Sequence, residues 1–190
     1  MGDVEILRCA DADEWDRWLT AHGTTRSDVW LAIARKGSGA AAMTATEAGD
    51  VAICHGWIDS HRRRLDDTHF LQRYSPRRPG SPWSRVNVDR VTALEAAGRM
   101  RPAGRAQVAA AQADGRWAAA YAPQRTAAVP DDLAAALAAN GRARAAYQAL
   151  GRSDRYAVFL PLLKARTPAA RAGALRRALA GLEAEGGPPR

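Results

Sequence analysis

The residue types that could support chemistry are concentrated in one central segment, Cys54-His55-Gly56-Trp57-Ile58-Asp59. Cys54 beside His55 suggests a nucleophile and its base, but neighbours on a helix point about 100° apart and do not readily hydrogen-bond to each other. A thiol near a helix C-terminus also meets the negative end of the helix dipole, which disfavours the thiolate. The alternative is that Cys54 is a small buried thiol that packs beside Trp57.

Asp59 stands early in a predicted strand, where a carboxylate is costly to bury unless it is paired or faces a ligand. Arg73, Arg77 and Arg78 are the cations near enough to pair with it. Two interpretations stay open, a structural ion pair and a carboxylate that orients a ligand. The candidate catalytic residues are Cys54, His55 and Asp59.

The loop that follows, residues 75–84, is rich in proline and cannot form a central strand. Its prolines hold the guanidinium groups of Arg77 and Arg78 at a preset angle, and the planar fork of arginine suits a carboxylate or a phosphate. The alternative is that the loop forms ion pairs with acids of the protein itself. Ser81 and Pro82 indicate a helix start. The candidate ligand-binding residues are Trp57, Asp59, Arg73, Arg77, Arg78, Trp83, Ser84 and Asn87.

Hydrophobic periodicity in the first half predicts two helices, one strand and one hairpin. The helices cover Asp13 to His22, and Thr44 or Thr46 to about His55. The strand covers Val29 to Ala34, and the hairpin pairs Trp57–Leu65 with His69–Ser75. Neither side of the first hairpin strand is cleanly apolar. We interpret this as a sheet with one face covered by helices and part of the other lining a polar cleft.

From residue 85 onward the pattern is helical. Helices are predicted over about 85–97, from Pro102 to Gly115, from Pro130 to about Gly141 with a short continuation to Leu150, and from Ser153 and Thr167 onward. The sequence therefore predicts an α+β fold in which a small antiparallel sheet of about three strands, packed by helices, precedes an all-helical half. We expect a single domain over residues 1–190, with an α+β portion at 1–84, a helical portion at 85–185 and a frayed tail at 186–190.

Composition and charge narrow the classes of function. Of 190 residues, 47% are hydrophobic and 25% charged, and the net charge is 28 − 20 = +8. A basic surface favours anionic partners such as nucleic acid, phosphates or acidic lipids. However, Lys36 and Lys164 are the only lysines, so the charge is almost all arginine, and with the abundant alanine this also fits the codon bias of a GC-rich genome.

Targeting and redox signals are few. No apolar run approaches the roughly 18 residues of a membrane span, and the first residues are acidic where a secretory signal is basic, so we expect a cytoplasmic protein without membrane insertion. The two cysteines, Cys9 and Cys54, are too few for a disulfide framework or a thiolate metal site. We expect no metal and no cofactor. The oligomeric state cannot be read from the sequence.

The motifs resemble the YdeI/OmpD-associated family, also described as bacteriocin-protection proteins. The resembling blocks run along nearly the whole chain. They comprise Trp15 with Trp18-Leu19, Val29-Trp30-Leu31, Lys36-Gly37, Glu47-Ala48, residues 54–59, residues 76–87, Gly98-Arg99-Met100, Pro102-Ala103-Gly104, Asp114–Trp117, Tyr121, Val129-Pro130 and Lys164–Thr167. His55 and Ser60 depart from the family pattern, which has phenylalanine or tyrosine and glycine there. The resemblance implies antimicrobial or envelope-stress protection and supplies no catalytic residue.

Three hypotheses follow. The leading one is a small-molecule-binding protein of resistance or stress protection, with an anionic ligand held between the hairpin 56–75 and the loop 76–84. There Trp57 and Trp83 would supply stacking surface, and Asp59, Arg77 and Arg78 the orienting charges. The second is a cofactor-independent enzyme that acts on a specialised metabolite, in which His55 or Asp59 moves protons. The third is a nucleic-acid binder.

Overall fold

A computed structural model describes residues 5–39 and 43–185. The predicted frayed tail, 186–190, and the first four residues lie outside the described part. Contacts between residues divide the chain into two compact units. The first consists of the chain up to Trp83 and Asn87–Ala120, and the second of Ser84–Val86 and the chain from Tyr121 onward. Whether they fold as the single domain expected from the sequence stays a prediction.

The first unit is built on a four-stranded mixed sheet with the strand order β1-β2-β4-β3. The strands are β1 (Ile6–Leu7), β2 (Val29–Ala34), β3 (Trp57–Arg64) and β4 (His69–Pro76). Strands β2, β4 and β3 pair antiparallel, as predicted, whereas β1 pairs parallel to β2. The sequence predicted about three antiparallel strands, one strand fewer than the structure has. The missed strand is β1, whose two residues are too few to show an alternating pattern.

Four helices belong mainly to this first unit: α1 (Ala12–His22), α2 (Ala45–Cys54), α3 (Arg85–Ala96) and α4 (Pro102–Ala113). Asp11 caps α1, and a capping box between Thr44 and Glu47 starts α2. Helix α2 ends at Cys54, and Gly56, the residue after the cap His55, has a φ of 76° that glycine adopts at little cost. This stop turns the chain directly into β3.

The main core of the first unit lies where α1 and α2 cover one face of the sheet. Leu31 and Ile33 of β2 are fully buried there with Trp15, Leu19 and other residues of the cluster. On the other face, Trp30, Ala32 and Leu71 form a small cluster of their own. A third cluster joins the end of α2 to α3 and α4 around Trp83, Val91 and Val108. The sheet is therefore covered on one face, and most of β3 beyond Ile58 is exposed.

The second unit is helical and comprises α5 (Asp131–Ala139), α6 (Gly141–Ala149), α7 (Arg152–Lys164) and α8 (Pro168–Glu185). Asn140 ends α5 and caps α6 through its side chain, which explains the short continuation expected after Gly141. The core of this unit centres on Leu133, Leu162 and Leu182. Among the described residues, no helix is both long enough and apolar enough to span a bilayer.

Candidate functional site

Trp57, predicted to supply a surface for a ligand, is inside the core of the first unit. It is 1% exposed, its ring meets Trp15 and Trp18 edge to face, and its Nε1 donates to the carbonyl of Gly23 at 3.2 Å. A ligand therefore cannot reach this ring without opening the core. The structure gives Trp57 a packing role.

Four of the other predicted ligand-binding residues are spread over the hairpin, the loop after it and the start of α3. Asp59 is exposed on β3 opposite Tyr74, and Arg78 is exposed in the loop. Arg73 donates through Nε to Asp28 at 2.7 Å, so it pairs with an acid of the protein itself. Asn87 is half-buried in the first turn of α3. The ligand-binding roles of these four residues stay predictions.

Arg77 and Trp83 are brought together, but inside the protein. Arg77 is 3% exposed, and its guanidinium carbon lies 3.7 Å from the centre of the Trp83 ring, while Nη1 donates to the carbonyl of Pro82 at 3.3 Å. Buried Arg116 supports the same loop by donating to the carbonyl of Ser81 at 3.0 Å. The loop is thus held by two buried arginines. Arg77 stacks on Trp83 and donates to a backbone carbonyl, and Arg116 donates to the Ser81 carbonyl and also pairs with the Asp114 carboxylate, 2.7 Å from its Nε.

Ser84, the remaining predicted ligand-binding residue, is the last residue of this loop. It forms an isolated parallel bridge with Tyr121, and the N–H of Arg85 donates to the carbonyl of Tyr121 at 2.9 Å. These three residues belong to the second unit or its boundary. Ser84 therefore takes part in backbone pairing.

His55 belongs to a charged cluster that sequence reasoning missed. Its Nε2 lies 2.9 Å from Oδ1 of Asp16, and Arg101 donates to Oδ2 of the same carboxylate at 2.6 Å. Burial raises the pKa of Asp16, but the hydrogen bonds from His55 and Arg101 outweigh burial and leave the pKa below its usual value. The carboxylate is ionised at neutral pH and joins α1 to the end of α2 and the start of α4.

The Cys54 thiol is 2% exposed and packs in the cluster around Trp83. Burial raises its pKa, and Arg99 only partly opposes this effect. The thiol is therefore protonated at neutral pH, in keeping with the interpretation of Cys54 as a small buried thiol, and its candidate catalytic role stays a prediction. The packing neighbours differ from the expected one, because Cys54 and Trp57 fall in different clusters.

A second feature that sequence reasoning missed is a cleft of about 930 Å³ at the far end of the hairpin. We call it the cationic cleft. Its basic lining residues are Arg35, Lys36, Arg62, Arg63 and Arg64. Phe70 and Ala34 add apolar surface, and Thr44 to Thr46, at the start of α2, complete one wall. No acidic side chain is among the described residues that line it.

Local contacts hold the basic side chains of the cationic cleft. Arg62 donates to Gln72 at 3.1 Å and lies 4.2 Å from the centre of the Phe70 ring. Arg35 donates to the backbone carbonyl of Asp66. The side-chain carboxyl of Asp66 accepts hydrogen bonds from Thr68 and His69, which lower its pKa to about 2. Lys36 is exposed at the end of β2. The cleft therefore combines guanidiniums held by local contacts with an exposed ammonium.

Signals for this cleft were present in the sequence but were not local. Arg62–Arg64 is the longest basic run, and Lys36-Gly37 ends β2, yet the two segments are about 25 residues apart. Only the antiparallel pairing of β2 and β3 with β4 brings them to one edge. The mixed faces of β3 led us to expect a polar cleft along this strand, but they did not indicate at which end of the strand it lies.

Among the described residues, no group of three or more histidine, cysteine, aspartate and glutamate side chains is arranged to hold a metal ion. Candidate ligands for a metal are therefore not assigned. The arrangement of the cationic cleft suits binding of anions, because guanidinium and ammonium groups line a volume that would hold a small molecule.

Two family profiles match the chain. Residues 7–107 match a family described as a domain of unknown function, DUF8412, and this match covers more than half of the chain. Residues 126–184 match the family described as bacteriocin-protection, YdeI or OmpD-associated, which confirms the resemblance over that part. The blocks 54–59 and 76–87 lie in the first match. No curated protein and no solved structure matches significantly.

Proposed function

Since the chain belongs to the family described as the domain of unknown function DUF8412 and carries a bacteriocin-protection, YdeI or OmpD-associated segment at 126–184, we propose that it is a cytoplasmic small-molecule-binding protein of this protective type. The ligand is anionic and binds in the cationic cleft. The observation that carries the proposal is the set of five basic residues around about 930 Å³, with no acid among the described lining residues.

The charge balance of the cleft supports this proposal. Arg64 pairs with Asp67 on the surface, with the two side chains 72% and 91% exposed, so that pair is screened by solvent. No described ion pair involves Arg35, Lys36, Arg62 or Arg63. Like charges held this close repel one another, and an anion in the cleft would relieve the repulsion.

The start of α2 supplies a further positive potential in the same wall. The first backbone N–H groups of a helix carry partial positive charge, and Ala45 and Thr46 line the cleft. Glu47, the acid in this first turn, is held by its own capping box, and hydrogen bonds from Thr44 lower its pKa. Phosphorylated small molecules, which are compact and carry several charges, fit this combination.

The proposal moves the binding site from the pocket predicted between the hairpin and the loop 76–84. There, Trp57, Arg77 and Trp83 are buried and make packing contacts. The cationic cleft uses the same β3–β4 hairpin but its opposite end. The acid/base alternative rests on His55, which is engaged by Asp16, or on Asp59, which is exposed on β3, and it stays a prediction.

Isothermal titration calorimetry with phosphate, pyrophosphate and tripolyphosphate tests the proposal. We expect affinity to rise with probe charge and to fall as salt is added. The double variant Lys36→Gln/Arg64→Gln removes two exposed charges of the cleft and should weaken pyrophosphate binding about 10- to 30-fold, at roughly 1 kcal/mol per charge.

The matched control is Arg142→Gln/Arg144→Gln, which removes the same charge from exposed positions on α6, outside the cleft lining. We expect its affinity to equal that of the wild type. Equal losses in both double variants would instead indicate nonspecific attraction by the net charge, and tighter binding to duplex DNA than to any probe would favour the nucleic-acid hypothesis.

A further inference from the structure

The second unit contains a cleft of its own, built from residues that the anion-binding proposal does not use. It has a volume of about 330 Å³, at the lower end of the range for small-molecule pockets. Tyr147, Tyr156 and Phe159 form its aromatic surface, and we call it the aromatic cleft. Arg125, Arg152 and Arg155 are its charged lining residues, and no acid lines it among the described residues.

The hydroxyl of Tyr147 has no hydrogen-bond partner among the described residues, although the side chain lines the aromatic cleft. Tyr147 is 8% exposed, so solvent reaches little of it. Burial raises the pKa of this phenol, with Arg155 acting in the opposite direction, so the group remains a hydrogen-bond donor at neutral pH. Buried hydroxyls are normally paired, and an acceptor brought by a ligand would complete this one.

The arginines of the aromatic cleft are positioned by backbone contacts. Arg155 donates through Nε to the carbonyl of Tyr147 at 3.1 Å, and Arg152 donates through Nη2 to the carbonyl of Arg125 at 3.1 Å. No described ion pair involves either residue, and Nη1 of each takes part in no described hydrogen bond. Both guanidiniums thus keep N–H groups for an anion.

The apolar lining of the aromatic cleft indicates which kind of ligand group would fit beside the arginines. Tyr156 and Phe159 pack edge to face with their ring centres 5.4 Å apart, and the hydroxyl of Tyr156 is already used by the carbonyl of Ala122 at 2.9 Å. Val129, also in the lining, is 39% exposed and is one of few large exposed apolar side chains in the described chain. A planar apolar group would cover Val129 and meet the rings.

We propose that the aromatic cleft binds a small aromatic carboxylate. The carboxylate accepts from the Tyr147 hydroxyl and from the guanidiniums of Arg152 and Arg155, and the ring packs against Phe159 and Val129. This site is separate from the cationic cleft, and it lies in the segment that matches the bacteriocin-protection family.

The test uses the full chain with benzoate and phenylacetate as probes and benzamide as the uncharged control, measured by ligand-observed NMR and calorimetry. We expect both carboxylates to bind and benzamide to bind at least about tenfold more weakly, because a hydrogen bond to a charged partner is the stronger one. Absence of carboxylate binding at millimolar concentration, or equal binding of benzamide, overturns the proposal.

Two tyrosine variants locate the contact. Tyr147→Phe should weaken benzoate binding about tenfold or more without lowering the melting temperature, because it removes a donor that has no partner in the protein. Tyr156→Phe removes the same atom from the same cleft, but from a hydroxyl that is already bonded, so it should lower the melting temperature and keep the affinity. Unchanged affinity in Tyr147→Phe, measured on folded protein, contradicts the assigned role.

Discussion

Replacing Arg77 by alanine should destabilise the protein strongly, in contrast to the ligand-orienting role that the sequence suggested. Arg77 is 3% exposed, stacks on Trp83 at 3.7 Å and donates to the carbonyl of Pro82 at 3.3 Å. A desolvated cation–π contact contributes about 2 kcal/mol, and a hydrogen bond from a charged donor about 1.5–3 kcal/mol. Together they give about 3.5–5 kcal/mol for Arg77→Ala.

The assay is thermal unfolding followed by circular dichroism. For a chain of this size, 1 kcal/mol corresponds to about 2–4 °C, so Arg77→Ala should melt about 7–20 °C below the wild type. The neighbouring exposed residue provides the control, since Arg78→Ala should change stability by no more than about 0.5 kcal/mol. Arg77→Lys should recover only part of the loss, because an ammonium cannot stack as a planar guanidinium does.

A melting temperature of Arg77→Ala within about 2 °C of the wild type would refute this reasoning. If binding of an anionic ligand disappeared at the same time, the loop 76–84 would regain the role predicted from the sequence. A loss in Arg78→Ala as large as that in Arg77→Ala would show that the loop stabilises the fold by a contact other than the stacking on Trp83.

Three further predictions concern the charged cluster, the thiol and the helix packing. Because the pKa of Asp16 is lowered in the folded protein, its ionised form stabilises the fold above about pH 4. In urea titrations the wild type should therefore be more stable than Asp16→Asn at neutral pH, and this difference should shrink as the pH falls from about 5 to 2. Cys54→Ser buries a hydroxyl in place of the thiol, so it should lower the free energy of unfolding by about 1–3 kcal/mol, measured by chemical denaturation, and leave pyrophosphate affinity unchanged. Lost affinity in a folded variant would indicate a functional thiol. Gly104→Ala should cost about 3 kcal/mol or more in thermal unfolding, since its Cβ would lie 2.2 Å from the Cys54 carbonyl oxygen, whereas Gly141→Ala, with open space, should be neutral or stabilising.

Much of the fold could be predicted because its signals are local. Strand β2 was predicted with its observed bounds from one continuous apolar run, and the hairpin from the pairing of Trp57–Leu65 with His69–Ser75. The start of α2 was predicted at Thr44 or Thr46, and the structure has Thr44 as the cap. Strand β1 was missed because its two residues carry no pattern and its parallel partner lies more than 20 residues away. Local chemistry sets the elements, whereas long-range pairing sets the sheet.

The site was harder to predict because its contacts are distant in sequence. Asp16 meets His55 across 39 residues and Arg101 across 85, so nothing near the Cys54-His55 pair indicates its partners. A proline-rich loop fixes backbone angles but not whether its arginines point inward or outward. Arg77 points inward to Trp83, while Arg78 is exposed. The sequence indicated that the arginines of this loop matter. Only their burial and contacts in the folded protein distinguish an arginine that stabilises the loop from one that could bind a ligand.

The location of anion binding is the central claim, and a titration of ¹⁵N-labelled protein with pyrophosphate, followed by amide chemical shifts, tests it most directly. We predict that the largest shifts occur at Arg35, Lys36 and Thr44–Thr46, with saturation at a single affinity, and that Lys36→Gln/Arg64→Gln needs a correspondingly higher pyrophosphate concentration to reach the same shifts. Shifts concentrated in the loop 76–84, or small shifts spread over all arginine-rich surfaces without saturation, would contradict the assignment of the cationic cleft.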